Sequence, residues 1–443
     1  MLLSKIHYRN LLLCWITLFL YCVSSAPAKE KHCGAGVPAR CQCSNHTRGS
    51  VNVFCDRQGL TELPSLSFDA VPIHTYSLEG NNLTSIRTGN FYGLKISHLS
   101  LKRNRINQLN LLAFWGLEYH LDNLDIGYNQ LSAVPADALR LLRNLRTLNL
   151  EGNKISILRN NDFSSLDRLE VLTLSRNPIV TIQDEAFRGT RLSLLGLDGI
   201  AVRKGLQDIP TKDLRNLRSL SLVDNALLEI PPGWFRSLTS LVSLNLDTNN
   251  ITNIPPAAFD GIHDTLVTLE INKNKLKKVP KRALRTLKEL DTLRMTHNRI
   301  KKVHARSFNS SKKLTHLDIS HNFIAEISPV AFEGMEALQK VDMRSNYLFT
   351  LDESTFSFEK CKVQEVYMAD NLWLCNCLLK WMRRDYKREE SKIAIFKDLE
   401  SLMCDRPYDL SGQLLVRVSP RELTCDHDYY YYYFDGDYYD YDQ

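Results

Sequence analysis

The sequence lacks the short motifs of common enzyme classes, and it has no long apolar run after its first segment. H-E-x-x-H, G-x-S-x-G, the G-x-G-x-x-G dinucleotide fingerprint and a phosphate-binding glycine loop are all missing from its 443 residues. No stretch after residue 26 reaches the roughly eighteen consecutive apolar residues of a membrane-spanning helix. We therefore expect no enzymatic activity, no cofactor and no membrane span.

The first 26 residues have the pattern of a secretory signal. Lys5 and Arg9 form a basic start, residues 11–23 are apolar, and small residues follow. Such a run is too short to span a bilayer, and its flanks are those of a cleaved signal peptide. We expect residues 1–26 to be removed and the remaining chain to be secreted into the extracellular space or matrix.

Cysteine is concentrated at the two ends of the remaining chain. Eight of its nine cysteines form two clusters of four: Cys33, Cys41, Cys43 and Cys55, and Cys375, Cys377, Cys404 and Cys425. In a secreted chain such clusters indicate disulfides, and four cysteines can pair in three ways. Cys361 is left over, either as a free thiol or as a cysteine that joins two chains, so the oligomeric state stays open.

Between the two clusters the chain repeats one phrase, L-x-x-L-x-L-x-x-N-x-L, at intervals of 23 to 25 residues. The alternation L-x-L predicts a short strand with buried leucines, and the asparagine amide can bond to backbone groups of neighbouring turns. Twelve asparagines keep this period: Asn81, Asn104, Asn129, Asn153, Asn177, Asn225, Asn249, Asn274, Asn298, Asn322, Asn346 and Asn371. Ile200 stands where one more is expected, and a longer loop follows it.

The period and the phrase resemble the leucine-rich repeat. The resemblance implies an α/β solenoid of about thirteen repeats over residues 67–371, with a curved parallel sheet on the concave face and irregular or short helical segments on the convex side. Phenylalanines recur in the returning segments and are expected to form a continuous aromatic column: Phe91, Phe163, Phe187, Phe235, Phe259, Phe308, Phe332 and Phe356. Four histidines are expected at different positions of the repeat: His297, His304, His316 and His321.

Residues 33–66 and 372–425 resemble the cysteine-rich caps of secreted extracellular leucine-rich repeat proteins, the chondroadherin-like and Slit-like group. The match rests on "CGAGVPARCQC" with "VFCDRQGLTELP", and on "NLWLCNCLLKWM". The chain departs from the small leucine-rich proteoglycans, whose C-terminal end lacks this four-cysteine cap. The resemblance implies four disulfides, and it places Trp373 and Trp381 over the last repeat: Cys33–Cys43, Cys41–Cys55, Cys375–Cys404 and Cys377–Cys425.

Two kinds of modification are predicted. Four N-x-S/T sequons indicate glycosylated, solvent-facing asparagines: Asn45, Asn82, Asn250 and Asn309. Residues 426–443 form an acidic tail with eight Tyr, six Asp and no Lys or Arg, for which we expect disorder. Tyrosine beside acid in a secreted chain indicates O-sulfation: Tyr429, Tyr430, Tyr431, Tyr432, Tyr433, Tyr438, Tyr439 and Tyr441. Such a tail would bind basic partners or the chain's own basic patch, whereas unmodified it would aid solubility.

Basic residues concentrate in one stretch of the repeats. Residues 273–313 contain 15 Lys or Arg against only Glu289 and Asp291. The repeat register places six of them on the edge that follows the asparagines: Lys275, Lys277, Lys278, Arg299, Lys301 and Lys302. Stacked like charges attract polyanions, which outside the cell are mainly sulfated glycosaminoglycans. The alternative is a charged surface that serves only solubility.

The predicted concave face carries five acids in its middle: Glu151, Asp198, Asp224, Asp247 and Glu270. An extended sheet with this charge suits a protein ligand. The sequence thus predicts a secreted, matrix-type interaction scaffold that binds extracellular proteins and sulfated glycosaminoglycans, and no nucleic acid. Two alternatives stay open: a soluble innate-immune recognition or decoy receptor, and a non-catalytic regulatory subunit of a secreted enzyme.

Overall fold

The computed structural model describes residues 40–66, 71–202, 205–356, 362–384 and 392–425. The expected signal segment, Cys33, Cys361 and the acidic tail with its eight tyrosines lie outside these ranges. Every helix within them is too short or too polar to cross a bilayer.

One sheet of fifteen strands runs the length of the described chain, with its strands in chain order. The first pair, β1 (Gln42–Asn45) and β2 (Val51–Phe54), is antiparallel, and each later pair is parallel. Its other strands are β3 (Ile73–Ser77), β4 (Ile96–Ser100), β5 (Asn123–Asp125), β6 (Thr147–Asn149), β8 (Val171–Thr173), β10 (Leu194–Gly196), β11 (Ser219–Ser221), β12 (Ser243–Asn245), β13 (Thr268–Glu270), β14 (Thr292–Arg294), β16 (His316–Asp318), β18 (Lys340–Asp342) and β19 (Glu365–Tyr367).

Most of these strands are three residues long because the phrase supplies one buried residue between two outward ones. Leu148 pairs with Leu172, and Leu244 pairs with Leu269, so successive repeats bury leucines at the same height. Short parallel pairs follow the main strands in places: β7 (Ile157–Leu158) with β9 (Thr181–Ile182), β15 (Lys302–Val303) with β17 (Glu326–Ile327), and β20 (Trp373–Leu374) with β21 (Cys404–Arg406). The fold is the α/β leucine-rich repeat solenoid that the sequence predicts.

Helical segments in the returning, convex part of the repeats are short. The helix α1 (Ala136–Leu139) follows Pro135, and α2 (Lys281–Leu284) follows Pro280; alanine and leucine, which favour helix, lie inside both. A third helix, α3 (Lys380–Arg384), belongs to the C-terminal cap. The 3-10 turns are Thr47–Gly49, Gly205–Asp208, Trp234–Ser237, Glu353–Phe356, Cys377–Leu379, Lys392–Ile395, Leu399–Ser401, Tyr408–Leu410 and Leu415–Arg417.

The phenylalanine column is interrupted, which corrects the prediction of a continuous one. Rings stack within separate groups, with centroids 5.1 to 6.4 Å apart: Phe91 with Phe114, Phe163 with Phe187, Phe235 with Phe259, and Phe308 with Phe332 and Phe356. Between groups, Leu139 and Leu284 are buried at the ends of α1 and α2. The repeats whose returning segments form a true helical turn therefore carry leucine instead of phenylalanine.

All twelve asparagines of the period are buried and bond to neighbouring backbone. In Asn249, Nδ2 donates to the carbonyls of Leu222 (2.9 Å) and Leu246 (3.0 Å), and Oδ1 accepts the N–H groups of Asn225 and Leu227, both at 3.0 Å. One side chain thus satisfies four backbone groups that would otherwise be buried without partners.

The repeat that lacks its asparagine compensates locally. In the repeat before, the N–H of Ile155 is accepted by Asn177 Oδ1, at 3.1 Å. The equivalent N–H of Ile179 cannot reach such a side chain, because Ile200 occupies the position, and it donates instead to the carbonyl of Asn177 at 2.8 Å. A tighter turn replaces the missing amide.

The residue just before each asparagine of the period has a left-handed backbone. Tyr128 (φ 54°), Arg176 (φ 57°) and Thr248 (φ 56°) are examples, glycine takes this place at Gly80 and Gly152, and Gly199 takes it before Ile200. The chain turns here from the strand toward the buried asparagine. Residues other than glycine are strained in this conformation, because their Cβ atom lies too close to the following carbonyl oxygen.

Disulfides lie near both ends of the solenoid. They join Cys41 to Cys55, Cys375 to Cys404 and Cys377 to Cys425, which are pairs that the cap resemblance implies. Cys43 is also disulfide-bonded, and Cys33, its expected partner, lies outside the described residues. Trp373 is fully buried and Trp381 is half-buried, with its Nε1 donating to the carbonyl of Leu351 at 3.1 Å, so both contribute to closing the last repeat.

Candidate interaction surfaces

The six predicted polyanion-binding residues lie on one edge of the solenoid, which we name the basic edge: Lys275, Lys277, Lys278, Arg299, Lys301 and Lys302. The two repeats are in contact, because the backbone N–H of Arg299 donates to the carbonyl of Leu276 at 2.9 Å. Lys277, Lys278, Arg299 and Lys301 are exposed, and the other two are half-buried. The register prediction for this edge therefore agrees with the observed stacking.

Acidic neighbours compensate some of these cations, but not evenly. On the basic edge Lys302 pairs with Glu326 at 2.6 Å, the residue opposite it in β17. Among the described residues, Lys275, Lys278, Arg299 and Lys301 form no ion pair. On the convex side, cations of the same stretch are paired: Lys288 with Asp264, Arg306 with Glu333 and Lys313 with Glu289. In this described part of the chain the convex Lys281, Arg282 and Arg285 form no ion pair either, so unpaired positive charge extends from the edge onto the convex side.

The same edge turns apolar toward the C-terminal cap, a feature that the sequence reasoning missed. Phe323 and Tyr347 occupy the positions of Lys275 and Arg299 in the next two repeats, and Leu372 occupies it in the last. They are 47%, 43% and 37% exposed, and the rings of Phe323 and Tyr347 stack at 5.5 Å. Reading the residue after each asparagine down the chain would have found this aromatic edge.

Two of the five predicted concave acids bond to the backbone. Asp198 accepts the N–H of Val223 at 2.8 Å and the hydroxyl of Ser221 at 2.5 Å. Asp247 accepts the N–H of Asn272 at 2.7 Å. Burial raises the pKa of both carboxyls, and these hydrogen bonds oppose that shift. Both carboxylates thus have a structural role in addition to any role in binding.

The other three acids differ in their surroundings. Glu151 accepts a hydrogen bond from the Tyr128 hydroxyl at 2.6 Å and lies 3.5 Å from Arg176 Nε. Glu270 pairs with Arg294 and accepts a bond from Asn245. Asp224 is exposed and has a left-handed backbone. The group of five concave acids is consequently less negative than the sequence suggests.

Two tyrosines stand out on the concave side, each beside two cations. Lys102 and Arg103 lie 5.6 and 5.7 Å from the centroid of the Tyr128 ring. Lys340 and Arg344 lie 4.8 and 5.1 Å from that of Tyr367. Burial first, and then the hydrogen bond to Glu151, raise the pKa of the Tyr128 hydroxyl, so it stays protonated and can donate. Half-buried tyrosine with arginine is typical of interface hot spots.

Five histidines form two clusters of contacting rings. His46, His74 and His98 contact one another near the N-terminal cap, with centroids 3.8 and 4.4 Å apart. His297 and His321 stack at 4.3 Å, because both directly precede an asparagine of the period; the prediction that they occupy different repeat positions was wrong. Within the described ranges no group of three or more His, Cys, Asp or Glu suits a metal ion.

The four sequon asparagines all reach the surface to some degree. Asn45, at the end of β1, is exposed, and Asn82, Asn250 and Asn309 are half-buried. The backbone N–H groups of Asn82 and Asn250 bond to the preceding repeat, to the carbonyls of Leu60 and Leu227, at 2.8 and 2.9 Å. Glycosylation at these positions stays a prediction.

Comparison with known proteins agrees with this architecture. The leucine rich repeat family profile matches residues 119–179, 215–264, 264–322, 288–348 and 312–359. Bovine keratocan is 28% identical over 244 residues, 52% of this chain and 64% of keratocan. Mouse podocan is 31% identical over 224 residues, 49% of this chain and 35% of podocan. The chain thus spans less than two thirds of these relatives.

Solved structures show the same fold. A chain of the Toll–Spatzle complex from Drosophila superposes with a TM-score of 0.59 at 20% identity, covering 81% of this chain and 57% of that one. A chain of the TLR13–ssRNA13 complex superposes with a TM-score of 0.51 at 21% identity, covering 79% and 60%. With its repeats, its stacked sheet and its disulfide-bonded ends, the chain belongs to the secreted, extracellular members of the leucine-rich repeat family.

Proposed function

We propose that the protein is an extracellular, matrix-type interaction scaffold that binds sulfated glycosaminoglycan through the basic edge and protein ligands through the concave sheet. The observation that carries the proposal is the group of exposed cations without ion pairs, Lys278, Arg299 and Lys301, on two contacting repeats. Similarity to keratocan and podocan supports the scaffold role.

The physics of the edge favours a linear polyanion. Adjacent repeats are about 4.8 Å apart, so cations of two repeats lie within one Debye length of about 8 Å and act together. Their mutual repulsion is relieved when an anionic chain lies along the edge, and condensed counterions are released from that chain. Binding should therefore weaken steeply as salt concentration rises.

Heparin chromatography of the secreted full-length chain tests the edge. Replacing Lys275, Lys278, Arg299 and Lys301 by glutamate should abolish retention, because the uncompensated cations become acids. The matched control replaces four exposed convex cations by glutamate and should retain most of the binding: Lys281, Arg282, Arg285 and Lys288. Equal loss in both variants would show that only net charge matters, and unchanged elution of the edge variant would exclude the site.

The concave sheet is the proposed protein-binding surface because Tyr128 and Tyr367 present half-buried rings beside cations. Truncating a tyrosine that is a binding hot spot costs about 2 kcal/mol or more, which is roughly thirtyfold in affinity. A Tyr128→Ala, Tyr367→Ala variant, compared with the exposed convex pair Tyr92→Ala and Tyr119→Ala, should lose partners captured from conditioned medium. Identical partner sets for both variants would place the ligand surface elsewhere.

A further inference from the structure

The edge that carries the basic cluster has a directional order. From the middle of the solenoid toward the C-terminal cap, the residue after each asparagine reads Lys275, Arg299, Phe323, Tyr347 and Leu372. Backbone bonds join the steps: the N–H of Phe323 donates to Ile300 O, and that of Tyr347 to Ile324 O, both at 3.0 Å. A ligand lying along this edge would meet apolar surface near the cap and positive charge farther away.

The described chain ends in the C-terminal cap, which follows the apolar part of this edge in the sequence. Cys425 is bonded to Cys377, and the N–H of Cys377 donates to the carbonyl of Thr424 at 3.3 Å. Cys377 follows Leu372 by only five residues. The acidic tail, residues 426–443, therefore starts one disulfide and five residues away from Leu372, at the cap end of the solenoid.

The tail sequence has the same order as the edge. Residues 429–434 are five tyrosines and a phenylalanine, and residues 435–442 contain four of the six aspartates. From Asn371 back to Asn274 is four repeats, or about 19 Å at about 4.8 Å each. The ten residues from Cys425 to Asp435 can span up to about 33 Å. Length and order both let aromatic residues meet Leu372, Tyr347 and Phe323 while aspartates reach Arg299 and Lys275.

We propose that the chain's own tail, residues 426–443, docks on this edge, with its aromatic run on Phe323, Tyr347 and Leu372 and its acidic half on the basic edge. Aromatic stacking and the burial of exposed apolar side chains hold the first part, and charge attraction holds the second. Sulfation of tail tyrosines adds negative charge and strengthens the docking. As far as regulation is concerned, the inference rests on the proposed function, because the tail then competes with glycosaminoglycan for the same cations.

Carbodiimide cross-linking of the full-length secreted chain tests the docking. The reagent joins a carboxylate to a lysine amine only when the two are in contact. We expect peptides that link tail aspartates to Lys275, Lys278 or Lys301, at the mass of a single chain. The links should be lost when Phe323 and Tyr347 are both changed to serine, and they should persist when the exposed convex pair Tyr92 and Tyr119 is changed in the same way.

Heparin elution separates this inference from the proposed function. Changing the six tail aspartates to asparagine should raise the salt concentration at which the chain leaves heparin. Links to the edge with no heparin retention in any variant would support docking and overturn glycosaminoglycan binding. Retention that depends on the basic edge, without edge-specific links, would overturn docking alone. Docking is also overturned if the links are spread evenly over convex lysines such as Lys281 and Lys312, or if they are found only between two chains.

Discussion

Single polar side chains hold each repeat to the next. Asn249 satisfies two carbonyls and two N–H groups of neighbouring turns. A second set of acceptors lies at the concave surface, where Asp198 and Asp247 take N–H groups of the following repeat. In other repeats an Asp or Asn at the end of the strand takes the N–H two residues on, as Asn149 does for Glu151 at 2.9 Å. The repeats of Asn153 and Asn249, for example, thus have both an inner, buried polar link and an outer one at the concave surface.

Removing an inner link should be costly. Asn249→Ala leaves four backbone groups without their partner, and each buried unsatisfied group costs about 1–3 kcal/mol before relaxation. We expect the free energy of unfolding to fall by at least about 2 kcal/mol in urea denaturation. Asn107→Ala, at an exposed asparagine outside the period, is the control and should change stability by less than about 0.5 kcal/mol. A similar effect of both substitutions would contradict the structural role of Asn249.

The sequence predicts the backbone bonds of the buried asparagines, but it does not predict those of the concave carboxylates. A fixed period identifies asparagines whose amides must be buried at equivalent positions. It also places Asp198 and Asp247 on the concave face, but it says nothing about which N–H group is left without a partner there. That depends on the turn geometry of the next repeat, which only the three-dimensional structure shows.

Whole strands differ in what they present to solvent, and the N-terminal ones present histidine. His74 lies in β3 and His98 in β4, and His46 stacks on His74 from the cap side. Burial first, and then the neighbouring imidazoles, lower the pKa of His74 and His98, while Asp122 acts in the opposite direction. Both rings are therefore neutral in the folded protein at neutral pH.

This histidine stack should make stability depend on pH. Unfolded histidine titrates near 6.5, and the folded pKa of His74 and His98 lies lower, so the unfolded chain takes up protons first. The free energy of unfolding is highest above pH 6.5. It falls as the pH decreases from there toward the lower pKa values that His74 and His98 have in the folded protein. We expect a drop in Tm between pH 7.5 and 5 that becomes smaller in a His74→Gln, His98→Gln variant. The exposed His120→Gln is the control, and an unchanged drop in the double variant would exclude the stack as its source.

Element boundaries were only partly predictable from the repeat pattern. Strand positions follow directly from the L-x-L alternation. Whether a returning segment forms a helix depends on a few residues, such as "ADAL" after Pro135. Two of the three gaps between the phenylalanine groups coincide with those helices, and the gap between Phe187 and Phe235 does not. Phe323 and Tyr347 both follow an asparagine of the period, but they are 24 residues apart in the chain and become neighbours only when the repeats are stacked.

At the scale of the whole molecule, each strand of the main sheet pairs with the strands next to it along the described chain, so the sheet has two open ends. Each repeat contacts its neighbours, so the outermost turns depend on the caps. Trp373, Cys375 and Cys404 are all buried against the last repeat. The C-terminal cap therefore protects the strands nearest to it.

Loss of the bond between Cys375 and Cys404 should loosen one end only. Substituting both cysteines by serine removes a constraint across 29 residues and should cost about 2–5 kcal/mol. Amide hydrogen exchange should increase in β18 and β19 and stay unchanged in β5 and β6. The corresponding variant at the N-terminal end, Cys41→Ser with Cys55→Ser, should increase amide hydrogen exchange in β3 and β4 instead. A uniform increase along the chain would mean that the repeats unfold as one unit.

The left-handed residue before each asparagine has a consequence for how such a protein can change over time. Glycine there would relieve a strain of roughly 1–2 kcal/mol, yet the chain keeps Tyr128, Arg176 and Lys273 at this position. Their side chains point outward and can be exchanged without disturbing the buried leucines. Stability and surface chemistry are thus in direct competition at one position per repeat, and a new binding preference can be acquired there at a small, nearly constant thermodynamic cost.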